Sequence, residues 1–150
     1  MVENEINKQE ISLRFSQLHW HDSKLLDLCV LKQDGEKKYD IQLTLNLIMV
    51  YRQGGGVETS KKRVVFKECR GIEADLDLLG VLICGGAIGS ATCYSDAVDF
   101  KRRRTNKAGQ FDFPESYNPL EKCLAFFIEM INPGGQIIVF ARDFELLDLP

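Results

Sequence analysis

The chain has 150 residues, 45% of them hydrophobic and 27% charged, a globular composition that excludes a disordered, collagen-like or coiled-coil polymer. That length suits a single domain over 1–150 with a core of its own. Nineteen Lys+Arg against twenty-two Asp+Glu leave a net charge of −3, which argues against a general nucleic-acid binder.

The chain starts Met1-Val2-Glu3-Asn4-Glu5, acidic and polar, which is no signal peptide; residues 1–10 read as a flexible or edge segment. Leu25–Leu31 is an apolar run, and Tyr39, Ile41, Leu43, Leu45, Leu47 and Met49 then alternate with Asp40, Gln42, Thr44 and Asn46. Period two puts each set on its own face of a long half-buried strand. Asp34-Gly35 between the two runs predicts a tight hairpin turn. Gly54-Gly55-Gly56 predicts a loop, residues 62–69 a returning strand, and Ile72–Leu78 a further alternating strand after a bulge or bend at Gly71.

Gly80, Gly85, Gly86 and Gly89 each disfavour helix by roughly 1 kcal/mol relative to Ala, so 79–95 reads as irregular backbone leading into a short strand near 88–94. Residues 101–119 read as a second long loop. Residues 119–131 suit a helix started by Asn118-Pro119 or a strand; the Pro133-Gly134 turn and the β-rich run 136–146 favour strand, turn, strand. Together these elements predict a mainly β fold, an antiparallel β-sandwich or open barrel with two long loops and at most one or two short helices. A long alternating strand at a sheet edge would pair with its twin, so a homodimer stays open.

Five cysteines, no two closer than nine positions, offer neither a zinc-ribbon nor a C-x-x-C spacing and read as free thiols in a reducing cytoplasm. The longest uncharged apolar run, Leu78–Ala91, is broken by four glycines and falls short of the roughly 20 residues of a membrane helix, so no membrane partner is expected. Gly85-Gly86-Ala87-Ile88-Gly89 fails the dinucleotide spacing, because Cys84 stands where the first glycine belongs; with no Walker A motif either, no cofactor is implied.

Two places carry chemistry. His19 and His21, the two histidines of the chain, share a face of an extended segment beside Asp22, the residue types of a divalent-metal or metal-assisted site that would need a further Asp, Glu or Cys. The plainer reading has Trp20 filling a sheet edge while His21, Asp22 and Ser23 bond backbone groups. Arg142 and Asp143 point to opposite faces of a strand, so one of them needs a partner, and His21 suits Asp143. His19, His21, Asp22, Arg142 and Asp143 therefore form a candidate polar cluster. The second place is Lys101-Arg102-Arg103-Arg104-Thr105-Asn106-Lys107, which carries +5 in seven residues. It holds no aromatic residue for base stacking, so Lys101, Arg102, Arg103, Arg104 and Lys107 read as a solvated loop or as a partner-binding loop for an acidic protein.

Trp20-His21-Asp22-Ser23 opens into a strand, followed by a hairpin, a glycine loop and the Val64-Val65-Phe66 strand; Gly134-Gly135 and Ala141-Arg142-Asp143-Phe144-Glu145 close the chain. In this the chain resembles small bacterial β-proteins with an N-terminal H-D-S/A motif over most of 15–148, and is similar to the immunity proteins of polymorphic toxin systems, notably immunity protein 50. The resemblance implies a cytosolic, non-enzymatic protein that binds and neutralises a toxin domain, with His21, Asp22, Arg142 and Asp143 as the residues of interest. His19 and the basic run depart from that pattern. The competing expectations are the metal site and a small-ligand binder with its cavity inside an open barrel.

Overall fold

A computed structural model describes residues 2–33, 39–107, 120–131 and 133–149. Its elements are α1 (Val2–Ser16), β1 (Lys24–Lys32), β2 (Tyr39–Arg52), β3 (Gly56–Cys69), β4 (Gly71–Asp75), α2 (Leu78–Ile83), β5 (Ile88–Tyr94), α3 (Ala97–Lys107), β6 (Leu124–Met130), β7 (Gly135–Ala141) and β8 (Asp143–Asp148). The strands form two antiparallel four-stranded sheets, in the orders β1-β2-β3-β8 and β4-β7-β6-β5. This is the expected mainly β sandwich. It carries three helices among the described residues, where at most two short ones were expected.

The sheets are continuous at one corner. β3 passes into β4, and β7 into β8, as one bent ribbon held by Arg70 N–H to Phe140 O at 2.8 Å and Arg142 N–H to Lys67 O at 3.1 Å. Glu68, in the left-handed region at φ 51°, re-aims the chain at this bend. The run 136–146, read as one strand, is therefore split at Arg142 between the sheets. On the opposite side the starts of β1 and β5 meet, with Ile88 N–H to Ser23 O at 2.9 Å and Leu25 N–H to Gly86 O at 2.7 Å. A Cβ on Gly86 would run into the Leu25 carbonyl oxygen, so the close approach requires glycine. The contact is short, and the sheets do not close into a barrel.

Leu43 and Leu45 of β2, Val64 and Phe66 of β3, Phe126 of β6 and Val139 of β7 are buried between the sheets. The open end is filled by α1. Phe15 is fully buried, its ring centroid 4.6 Å from Trp20, 4.9 Å from Phe126 and 5.3 Å from Phe144. Burying one such ring stabilises by about 1.5–3 kcal/mol. Ser12 Oγ donates to Cys93 O at 2.7 Å, tying the helix to β5. Among the described residues, apolar side chains of both sheets and of α1 pack together in this interior.

Several expectations are corrected. The N-terminal segment is the 15-residue helix α1, and its Ile11 and Phe15, at i and i+4, pack on the core with Leu18 just past its end. The stretch 79–95 begins as a helix: Asp77 caps α2 by accepting Gly80 N–H at 3.1 Å, and left-handed Gly85 and Gly86 end it with Gly86 N–H to Val81 O at 2.8 Å. The long alternating strand β2 lies between β1 and β3, so the edge invoked for twin pairing is not its own. Residues 101–107 belong to α3 rather than to a loop. Residues 124–130 are strand. Asp34-Gly35 and 108–119 lie outside the described residues. No described helix is long and apolar enough to cross a membrane.

Candidate functional site

Trp20 to Ser23 connect α1 to β1. Trp20 Nε1–H donates to Phe15 O at 2.7 Å, closing the turn under the helix end. Ser23, fully buried, donates from Oγ to His19 O at 2.5 Å and accepts Ile48 N–H at 3.0 Å. That hydroxyl takes the place of a ladder bond where β1 stops short of β2. Asp22 sits at φ 65°, a left-handed position that Asp tolerates. His21 Nδ1–H donates to the carbonyl oxygen of Gly89 at 2.9 Å. Its Nε2 lies 3.5 Å from Asp22 Oδ2, with both side chains exposed. His19 meets the Tyr51 ring edge-to-face at a centroid distance of 5.8 Å.

Arg142 and Asp143 find other partners. Arg142 Nη1 bonds Glu68 Oε2 at 2.9 Å across the corner of the bent ribbon. Asp143 Oδ1 accepts from Arg14 Nη2 at 3.0 Å and from Phe144 N–H at 2.7 Å. The expected His21–Asp143 pair is not formed: α1 brings Arg14 to Asp143, while His21 is held at Gly89. The candidate polar cluster thus divides into a connector set, His19, His21 and Asp22, and a corner set, Arg142 and Asp143. Among the described residues no three His, Cys, Asp or Glu side chains converge as metal ligands.

The basic run is organised by α3. Asp96 caps it, Oδ1 accepting Asp99 N–H at 3.0 Å, and Asp99 pairs with Arg103 at 2.9 Å one turn later. Ala97, Phe100, Lys101 and Arg104 follow the i, i+3, i+4, i+7 pattern that faces the second sheet. There Phe100 joins Phe127 and Phe140 over a layer containing Cys123, Ala125 and Ile138. Lys101 pairs with Glu73 and lies over the Phe140 ring at 5.5 Å. Burial, and then the neighbouring Arg104, lower its pKa. Arg104 stacks over Phe100 and Phe127, 5.6 Å from each ring. Arg102 and Arg103 stay exposed. The cations called a partner-binding loop therefore split: Lys101 and Arg104 serve the fold, Arg102 and Arg103 face solvent, and the Lys107 side chain lies outside those described.

Arg103 lines a groove of about 370 Å³ together with the apolar Tyr94 and Phe100 and the carboxylates of Asp96 and Asp99. The two rings pack 4.8 Å apart. Comparison with family models, with curated proteins and with solved structures gave no match to this chain. The sequence reading missed Tyr94, Asp96 and Phe100 as parts of this surface. Ser95-Asp96 ahead of an apolar residue is a helix-start signal, and reading on from it at helical spacing finds Ala97, Phe100 and Arg104.

All five cysteines are free thiols, and Cys29 and Cys84 are exposed. Burial pushes Cys69 and Cys93 up to about 12 and raises Cys123 as well, so these three stay protonated at neutral pH.

Proposed function

We propose that the protein is a non-enzymatic binding protein of immunity type, which neutralises a toxin domain by covering an acidic patch on it with the exposed face of α3. The observation that carries this reading is that Arg102 and Arg103 stand exposed on α3, with Arg103 lining a groove together with Tyr94 and Phe100. Arginine next to exposed aromatic surface is the composition of interface centres. The underlying sheet fixes the helix through Phe100, Lys101 and Arg104, so the two guanidinium groups are presented on a rigid element. A cytoplasmic setting belongs to the same reading and is supported by the five free thiols.

The test is co-expression with candidate toxin domains and measurement of the complexes by size exclusion with light scattering. The reading expects a stoichiometric complex that protects cells from the toxin. Arg102→Glu with Arg103→Glu should weaken it by about two orders of magnitude, with an unchanged melting temperature. A complex that tolerates both reversals would remove α3 as the contact.

A further inference from the structure

The two sheets differ in what covers them. The second is overlaid by α3, whereas the outer face of the first is lined by half-buried polar side chains, Gln42, Thr44 and Asn46 of β2 among them. The strand register arranges this face in rows. Lys24, Asn46 and Lys61 stand in one row across β1, β2 and β3, and Asp27, Thr44, Arg63 and Leu147 in the next. Alternation sets both rows opposite the buried Leu43 and Leu45. With strands about 4.8 Å apart, Lys24 and Lys61 stand about 10 Å from each other, and Arg63 lies about 7 Å further along β3.

Their charges are unanswered. Elsewhere on β3, Lys62 pairs with Asp148 and Lys67 with Glu145. Among the described residues no carboxylate pairs with Lys24, Lys61 or Arg63. The acid in the Arg63 row, Asp27, lies two strands away and accepts the N–H of Leu28 at 2.8 Å. Further along β3, alternation brings Val57 onto the same face, opposite Tyr51, and both are 53% exposed.

We propose that this face docks an acidic protein segment: side-chain carboxylates spaced about 10 Å across the strands and about 7 Å along β3 meet Lys24, Lys61 and Arg63, and an apolar residue of the same segment meets Val57 and Tyr51. Among the described residues the face offers one aromatic ring, Tyr51, where single-strand binders stack successive bases, and this favours protein over nucleic acid. The surface lies on the sheet that α3 does not cover, so it is independent of the α3 contact.

An amide NMR titration of the full chain with an octaglutamate peptide, run beside an oligothymidine of equal charge, tests this. The expected result is shifts centred on residues 24, 44–46 and 61–63 that fade as salt is raised, with the octaglutamate preferred. Lys61→Glu with Arg63→Glu should weaken octaglutamate binding about tenfold. Lys24→Glu on the exposed edge strand gives a second variant should the double change disturb folding, and should weaken binding about threefold. Shifts confined to 101–107, or absent, would overturn the proposal. Tighter binding of the oligothymidine at the same residues would overturn the choice of a protein partner.

Discussion

Helix α1 sends Phe15 into the aromatic cluster between the sheets, while α3 lies on the outside of one sheet and keeps Arg102 and Arg103 in water. Both segments are rich in charged residues. What separates them is where a few apolar side chains fall and what those side chains meet. Ile11 and Phe15 of α1 find an open sandwich end and become core. Ala97 and Phe100 of α3 find a finished sheet face, so that helix is left with a free side. A charge run therefore conceals two populations. In α3, Lys101 and Arg104 turn inward onto rings, as their methylene stems and cation–π geometry permit, and Arg102 and Arg103 stay in solvent.

The contrast can be broken most forcefully at Phe15. Phe15→Ala should destabilise the protein by about 3–5 kcal/mol in urea unfolding, because it empties the centre of four ring contacts. Phe100→Ala, at a half-buried position, should cost less than half as much; equal losses would erase the distinction between the helices. Ser23→Ala comes next. It strands the Ile48 N–H, which has the Ser23 hydroxyl as its partner, and should cost about 1–3 kcal/mol by the same measurement. A loss below about 0.5 kcal/mol would mean that this hydroxyl is dispensable to the end of β2.

Smaller effects sharpen the picture of α3. Asp96→Ala removes its cap and should cost about 1 kcal/mol, read as a loss of helical ellipticity together with a lower unfolding midpoint. Arg102→Glu with Arg103→Glu should move stability by no more than about 0.5 kcal/mol while changing binding, the reverse of Phe15→Ala. Thiol labelling of the native protein should modify Cys29 and Cys84 promptly, and Cys69, Cys93 and Cys123 only after unfolding. Raised thiol pKa values also fix a sign. The buried thiols contribute stability that is full below about pH 9 and is lost as pH climbs toward 12, so alkaline titration should lower the urea midpoint over that window.

How much of this was legible follows from which signals are local. Period two exposed β2 and the run that holds β4, because a half-buried strand writes its burial into alternate residues, whereas β6 followed from the turn and the β-rich run after it. Period two could not expose the break at Arg142, since alternation runs on through a bend that Glu68 and Arg70 impose from another strand. The pattern of α1 was present as Ile11 and Phe15, with Leu18 just past its end, but few inward apolar positions carried it among polar neighbours. Around the candidate site, the residue types of Trp20–Ser23 pointed to backbone bonding. The partner of Asp143 did not follow from them: Arg14 is 129 positions away and is brought there by the docking of α1 on β8.

Native-state hydrogen exchange tests most directly whether α1 belongs to the core and α3 to the surface. Amides of residues 11–16 should exchange only through global unfolding, at the same free energy that urea denaturation gives. Those of 100–104 should open locally at a lower free energy. Local opening of 11–16 at or below the free energy of 100–104 would contradict the account.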